Sequence, residues 1–399
     1  MIMHACDRKG IAGRRAAQTL ATFCAVMAVL LAMVVSAAPA GAASSTPTYR
    51  VIQILSGQNL HHWYTKAGSS KRHSEPLTSP DDVTRIGGYL FTGFQNGVGP
   101  QGQASPDGNR DSTIVEFTLS GRVVNQWDVV GKCDGLTADP YNGLVVATVN
   151  EDAHSSLYTI DPFSSRVVHY AYNKPLPHNG GTDAISFDSG LMLISASAPG
   201  TAGAAAPQPY YPAVYLVSLN PAKRVATVHA LFYDESHATA ANGPHAGHPV
   251  KLGLTDPDSN EVVPASAARF AGYFMLTSQG DQEQIYVYAP GTRRQHLWVL
   301  KLSHSVDDTA WATTWHGAFY AADTSGDTID EVSGSFWPQG TVFVAVTPCD
   351  SSSAPATCPA PPKFPANYLG RLNMHTSQIT PVSLRGPRLE PQGMIYVPF

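Results

Sequence analysis

Seven times along this chain of 399 residues a glycine is followed at once by a short run of apolar, strand-forming residues. The runs open at Gly88-Tyr89-Leu90, Gly143-Leu144-Val145, Gly190-Leu191-Met192, Gly272-Tyr273-Phe274, Gly317-Ala318-Phe319, Gly340-Thr341-Val342 and Gly393-Met394-Ile395. Glycine accepts the positive φ of a tight turn, and the residues that follow suit a buried strand. Self-similarity over tens of residues marks a repeat architecture, in which each unit buries its faces against its neighbours. Charged residues make up only 14% of the chain, whereas Gly and Pro number 34 and 31, which favours a loop-rich all-β body over a helical one.

The clearest unit lies between Asp134 and Tyr172. The pattern predicts strands over 134–138, 144–149, 156–160 and 166–172, with Asn142-Gly143 as the first hairpin turn. The next unit repeats that order over 183–187, 191–195, 213–219 and 225–231. Four-stranded meanders repeated in this way are blades of a β-propeller. Seven glycine anchors give seven blades, with six left open because the anchors at Gly317 and Gly340 are only 23 residues apart. The segment Trp337-Pro338-Gln339-Gly340 echoes Glu390-Pro391-Gln392-Gly393, and the chain ends soon after the second copy. Closure therefore predicts that residues 49–55 supply an outer strand to the last blade, so that the termini meet in one sheet.

Residues 1–43 read as a secretory signal peptide: Arg8, Lys9, Arg14 and Arg15, an apolar run over 20–35, and small residues at Ala40-Gly41-Ala42. Residues 44–399 are then one propeller domain, exported to the extracellular space or cell wall. Taking the four bases and one acid of residues 1–43 from totals of 25 and 30 leaves 21 Lys+Arg against 29 Asp+Glu, a net charge of −8. That sign argues against a nucleic-acid partner or attraction to anionic lipid through bulk charge, and it suits cations. A monomer without a membrane span is expected, with a protein, glycan or small molecule as partner.

The motifs Asp134-Gly135-Leu136, Thr182-Asp183-Ala184-Ile185 and Asp307-Asp308-Thr309-Ala310-Trp311 each open a blade. On these residues the chain resembles exported propellers with NHL-like repeats or of the SMP-30/gluconolactonase-like kind, over nearly all of 49–399. The resemblance implies a divalent metal in the central channel held by Glu, Asn and Asp. Glu75-Pro76 is a faint match to the glutamate motif, and no Pro-Asn-Gly opens an inner strand here.

Acidic residues gather where a propeller would place one mouth of its channel: Asp81, Asp82, Asp134, Asp183, Asp307 and Asp308 before inner strands, and Glu390 in the last blade. Asn150-Glu151-Asp152, Gln279-Gly280-Asp281 and 323–327 fall in the loops between second and third strands. The metal reading takes Asp82, Asp134, Asp183, Asp308 and Glu390 as a ring for Ca2+ or another divalent cation, since oxygen donors suit hard ions. The plainer reading, that each Asp caps turn amides beside its strand, explains every position separately and is the stronger. His245 and His248 form a secondary metal candidate in a Gly/Pro-rich loop. Loops 107–111, 256–261 and 323–327 space oxygen donors at alternate residues, yet none carries the glycine and glutamate of an EF-hand.

Cys349 and Cys358 are expected to pair as a disulfide after export, leaving Cys133 as a buried apolar residue. His61-His62-Trp63 reads as a surface segment. Trp127, Trp298, Trp311, Trp315 and Trp337 read as blade packing, and Tyr210-Tyr211 as an exposed contact point. No Gly-x-Ser-x-Gly, His-Glu-x-x-His or phosphate-binding glycine loop is present. The function read from these features is binding of a ligand or partner on the loop-rich acidic face, without defined catalysis. The alternative is a metal-dependent hydrolase or lyase of the lactonase-like propeller type.

Overall fold

The computed structural model describes residues 48–66, 69–197, 210–348 and 367–399. These residues form strands and short turns, with two single-turn 3-10 helices and no helix long and apolar enough to cross a membrane. Six antiparallel four-stranded units stand around a channel as blades of a β-propeller.

Blade 1 comprises Pro80–Ile86, Tyr89–Phe94, Asp111–Thr118 and Val123–Val130. Blade 2 comprises Cys133–Asp139, Leu144–Val149, Ser156–Asp161 and Arg166–Tyr172, and blade 3 Gly181–Asp188, Leu191–Ser197, Pro212–Asn220 and Val225–Tyr233. A short parallel pairing of Ala171 and Tyr172 with Val225 and Ala226 fuses the outer edges of these two blades. Blade 4 comprises Pro257–Val262, Phe274–Ser278, Glu283–Tyr288 and His296–Lys301, extended outward by His237–Ala240 and Pro249–Lys251.

Blades 5 and 6 are interleaved. The inner strand Val306–Trp311 pairs with Val342–Val346, and Tyr368–Leu372 and Ile379–Pro381 complete blade 5. The intervening hairpin, Gly317–Asp323 with Thr328–Ser333, instead joins blade 6 between the inner strand Pro391–Pro398 and the outer strand Thr48–Ser56. Closure by both termini is as expected from the sequence, and the blades number six.

The overcount of the glycine anchors has a topological cause. Six of the seven precede or begin the second strand of a blade, whereas Gly393 lies inside the inner strand of blade 6. The short interval between Gly317 and Gly340 arises because the blade 6 hairpin is inserted into the sequence of blade 5.

Burial follows the ring. Six apolar clusters fill the six gaps between adjacent blades, including one between blades 6 and 1 that joins Val397 and Tyr320 to Val83 and Phe94. Between blades 5 and 6, Trp337 is fully buried, stacks on Tyr49 with centroids 4.6 Å apart, and donates from Nε1 to Gly317 O at 2.8 Å. Cys133 is buried beside Gly93 in the gap between blades 1 and 2, as expected for an apolar cysteine. Trp127, Trp311 and Trp337 pack inside, but Trp315 is exposed in a turn. Cys349, Cys358 and residues 1–43 lie outside the described residues.

A separate hairpin, His61–Thr65 with Arg72–Pro76, stands outside the six blades. His62 is not a surface residue: it is buried, with Nε2 3.1 Å from Glu75 Oε1 and Nδ1 3.7 Å from Asp128 Oδ1. Glu75 therefore serves this hairpin and is not among the channel-lining residues.

Candidate functional site

Every inner strand carries the same irregularity. Pro80 and Val83 oppose Phe94 and Thr92, and Cys133 and Leu136 oppose Val149 and Ala147. The same advance of three residues against two recurs at 182/185, 257/260, 306/309 and 391/394. One extra residue in a strand is a β-bulge, which breaks the alternation of side chains and re-aims those at the bulge. The first bulge residue is Asp81, Asp134, Asp183, Asp258, Asp307 and Gln392 in blades 1 to 6. Five of six are aspartate.

These six side chains line one cavity of about 240 Å3 at the channel mouth. Gln95, Glu151, Gln279 and Thr324, from connections between second and third strands, complete the wall with Lys132 and with the next bulge residues Asp82, Ala184 and Ser259. Lys132 Nζ lies 2.7 Å from Asp134 Oδ1 and forms an ion pair with Glu151. Gln95 Nε2 donates to the same Asp134 oxygen at 3.1 Å, while Asp134 Oδ2 is buried with no hydrogen-bond partner. Gln392 Nε2 donates to Asp307 Oδ2 at 3.3 Å. The Asp183 and Asp258 carboxyls hydrogen-bond to each other.

The second bulge residue does a different job. Asp82 Oδ2 accepts the N–H of Leu136 in blade 2 at 2.9 Å. Asp308 Oδ2 accepts the N–H of Met394 in blade 6 at 2.6 Å, and its Oδ1 that of Thr309 at 2.7 Å. These two carboxylates stitch neighbouring inner strands together deeper in the channel, beside a second cavity of about 140 Å3. The strands approach closely there: a Cβ on Gly393 would lie 2.5 Å from Asp81 O.

Crowded carboxylates out of bulk water resist ionisation. Burial, then the neighbouring Asp82 and Asp134 charges, pushes Asp81 well above the usual carboxylate range. Burial and the charge of Glu151 do the same to Asp134 against the pull of Lys132. Burial pushes Asp183 up to about 7, with Glu151 adding to it and the bond from Asp258 opposing it. Asp308 is likewise pushed up to about 7 by burial, even though two backbone N–H groups favour its charged form. For Lys132, burial alone would lower the pKa, but Asp134, Glu151 and Asp81 together carry it well above its ordinary value.

Of the ring read from the sequence, Asp82, Asp134 and Asp183 line the mouth cavity, Asp82 also accepting a backbone N–H, while Asp308 lines the deeper cavity and accepts two backbone N–H groups. Glu390 is paired with Arg388 at 2.7 Å and is not among the lining residues; Gln392 holds its ring position. His245 and His248 sit on an exposed turn outside blade 4. Asp258 and Lys132 were missed. Pro257-Asp258 repeats the Pro80-Asp81 and Pro391-Gln392 pattern that opens two other inner strands, which is the signal that would have found Asp258. Among the described residues no group of three His, Cys, Asp or Glu side chains is arranged to hold a metal ion.

No family model matches the chain, and no curated protein matches it. Among solved structures, the periplasmic gluconolactonase of Pseudomonas aeruginosa is 11% identical, with a TM-score of 0.42, over 88% of this chain and 99% of its own. A 6-phosphogluconolactonase of Bacteroides fragilis, described as putative, is 12% identical with a TM-score of 0.41, over 90% and 99%. A luciferin-regenerating enzyme is 11% identical with a TM-score of 0.35, over 73% and 91%. These are likenesses of chain path alone, and they bring no activity to this protein.

Proposed function

We propose that the protein binds a small organic cation, such as an amine or guanidinium compound, in the acidic mouth of its channel. One observation carries the reading: five of six equivalent bulges aim an aspartate at one small cavity whose lining holds a single lysine. The fold thereby gathers carboxyl groups that one lysine cannot neutralise, so that ionising them costs stability unless a cation compensates. Lys132 is the internal precedent, since its ammonium already bonds Asp134 and Glu151 within the same ring. A ligand ammonium would meet the remaining acceptors of the ring in the same manner. We place this activity outside the cytoplasm, in residues 44–399 after removal of 1–43.

The oxygen-only donor set would suit a hard ion such as Ca2+, but its arrangement does not fit one. Asp82 and Asp308 spend oxygens on backbone N–H groups, and Asp134 Oδ1 on Lys132 and Gln95. A hydrogen-bonding organic cation needs no convergent set of ligands.

Titration calorimetry with small diamines and guanidinium compounds, run beside Ca2+, Mg2+ and Zn2+, tests the reading. Micromolar binding of an organic cation is expected, weakened about tenfold or more by Asp134→Asn or Asp258→Asn. A stoichiometric metal with no organic cation bound would replace this reading with the metal one. Silence from both groups would leave the ring as turn chemistry.

A second reading, hydrolysis of a cyclic ester, is favoured by the Asp183–Asp258 pair. A carboxyl titrating near neutrality can serve as general acid or base. Lactone hydrolysis that disappears in Asp258→Asn would support it; no turnover across a lactone panel would remove it.

A further inference from the structure

The acidic mouth has an opposite face, and its chemistry is different. Inner strands start at the mouth and blades are antiparallel, so the turns between first and second strands, and between third and fourth, lie at the far end. Six large exposed side chains sit in those turns or at their edges: Tyr89, Tyr141, Phe163, Tyr288, Trp315 and Phe336. Phe399, 72% exposed and following the end of the blade 6 inner strand, is a seventh. By contrast, Tyr210 and Tyr233 are the exposed aromatics at the mouth end of blade 3.

The far-end aromatics are held out by their turns. In Asp139-Pro140-Tyr141, Asp139 Oδ1 accepts the N–H of Tyr141 at 2.8 Å, and in Asp161-Pro162-Phe163, Asp161 Oδ1 accepts that of Phe163 at 3.0 Å. The carboxylates are spent on the turn while the ring stands at its tip; Phe163 is 89% exposed. Trp315 and Phe336 lie with ring centroids 6.3 Å apart, and the N–H of Phe399 donates to His316 O at 3.2 Å, so these three residues gather beside blades 5 and 6. Thr48, where the preceding residues join, begins the outer strand of blade 6 at the same end.

The same turns carry exposed cations: Arg122 in blade 1, Arg166 in blade 2, Lys223 and Arg224 in blade 3, and Arg293 and Arg294 in blade 4. The net negative charge of the chain thus hides an uneven distribution: the clustered carboxylates lie at the mouth, while at the far end these six exposed cations outnumber Asp139, Asp161 and Asp188. Aromatic side chains settle at the headgroup level of a bilayer, and each Lys or Arg near an anionic leaflet adds attraction. A second copy of the same basic face would be repelled, which disfavours self-association through it.

We propose that this face docks on an anionic lipid surface, with Trp315, Phe336, Phe399 and the turn aromatics entering the interface and the turn arginines facing the headgroups. The acidic mouth then points away from the membrane, open to solvent.

The test is co-sedimentation of the purified protein with vesicles of phosphatidylcholine alone or mixed with phosphatidylglycerol. Binding is expected on the anionic vesicles and should fall about tenfold between about 0.05 and about 0.5 M salt. Trp315→Ser/Phe336→Ser/Phe399→Ser and Arg293→Ser/Arg294→Ser should each weaken it about tenfold, whereas Tyr210→Ser/Tyr233→Ser should leave it unchanged. Brominated lipid should quench a fluorescence component that Trp315→Phe removes. The proposal is overturned by no binding to anionic vesicles, or by binding that both far-face variants leave intact, since apolar residues 20–35 would then account for it. It is equally overturned if those variants abolish a lipid-free dimer instead.

Discussion

Gly93 and Cys133 meet across the gap between blades 1 and 2, and each explains the other. A Cβ on Gly93 would lie 2.8 Å from Cys133 Sγ, closer than packed atoms allow, so the buried thiol occupies the volume that glycine leaves. Burial, together with the charge of Asp134, pushes that thiol well above its ordinary pKa, so it is a packing atom and not a nucleophile. Gly93→Ala should cost about 1–3 kcal/mol by overpacking. Cys133→Ala should recover part of that loss, so that a double-mutant cycle by urea unfolding shows coupling of about 1 kcal/mol. Additive losses would mean that the two sites relax independently. The burial of Cys133 is readable from its apolar setting, but its pairing with Gly93 is not, because they are 40 residues apart and meet only once two blades pack.

At the scale of strands, the outermost strand of blade 6 is the element on which closure depends. Residues 50–56 of Thr48–Ser56 pair with the third strand of that blade, and Tyr49 stacks on buried Trp337. Tyr49→Ala should therefore remove about 3–5 kcal/mol, the range for deleting a buried aromatic. The loss should appear as one cooperative transition in calorimetry; a separate early melting of blade 6 alone would show that the ring does not depend on this strand. Blades 2 and 3 are legible in the sequence to within one or two residues at most strand ends, since apolar runs are punctuated by turn residues such as Asn142-Gly143. The inner strand of blade 4 is not. Asp256-Pro257-Asp258-Ser259-Asn260-Glu261 reads as a polar loop because its bulge sends polar side chains to the channel and suppresses the alternation that marks a strand. The interleaving of blades 5 and 6 is equally hidden, since pairing between residues 317–323 and 391–398 leaves no local trace.

For the whole molecule, the ring ties stability to pH in the direction opposite to that of a salt-bridged carboxylate. Asp183 and Asp308 are pushed up to about 7 from an ordinary 3.8, so the folded protein keeps protons that the unfolded chain releases. Their contribution is fully present below about pH 4 and is lost as pH rises through about 7. The melting temperature should accordingly fall by several degrees between about pH 5 and about pH 8 at low salt, and Asp183→Asn should flatten that slope. A bound organic cation should also flatten it, by favouring the ionised ring. An unchanged slope in Asp183→Asn would show that the proton sits elsewhere. The acidic mouth could be foreseen from aspartates preceding inner strands, but its sixfold regularity could not, because blade 4 was unread and Gln392 stands where Glu390 was expected.

The interleaving of blades 5 and 6 in the sequence also bears on how the polypeptide is made. A ribosome that has released residues 317–333 has produced a hairpin whose inner neighbour, Pro391–Pro398, emerges only after the whole of blade 5. Until then one edge of that hairpin has no native strand to pair with, while the sequence of blade 5 continues past it. Blades 1 to 5 have all their strands by Pro381, whereas blade 6 cannot be completed until Pro391–Pro398 follows. Deleting residues 391–398 would thus strip blade 6 of its inner strand and leave its hairpin and the outer strand Thr48–Ser56 without it.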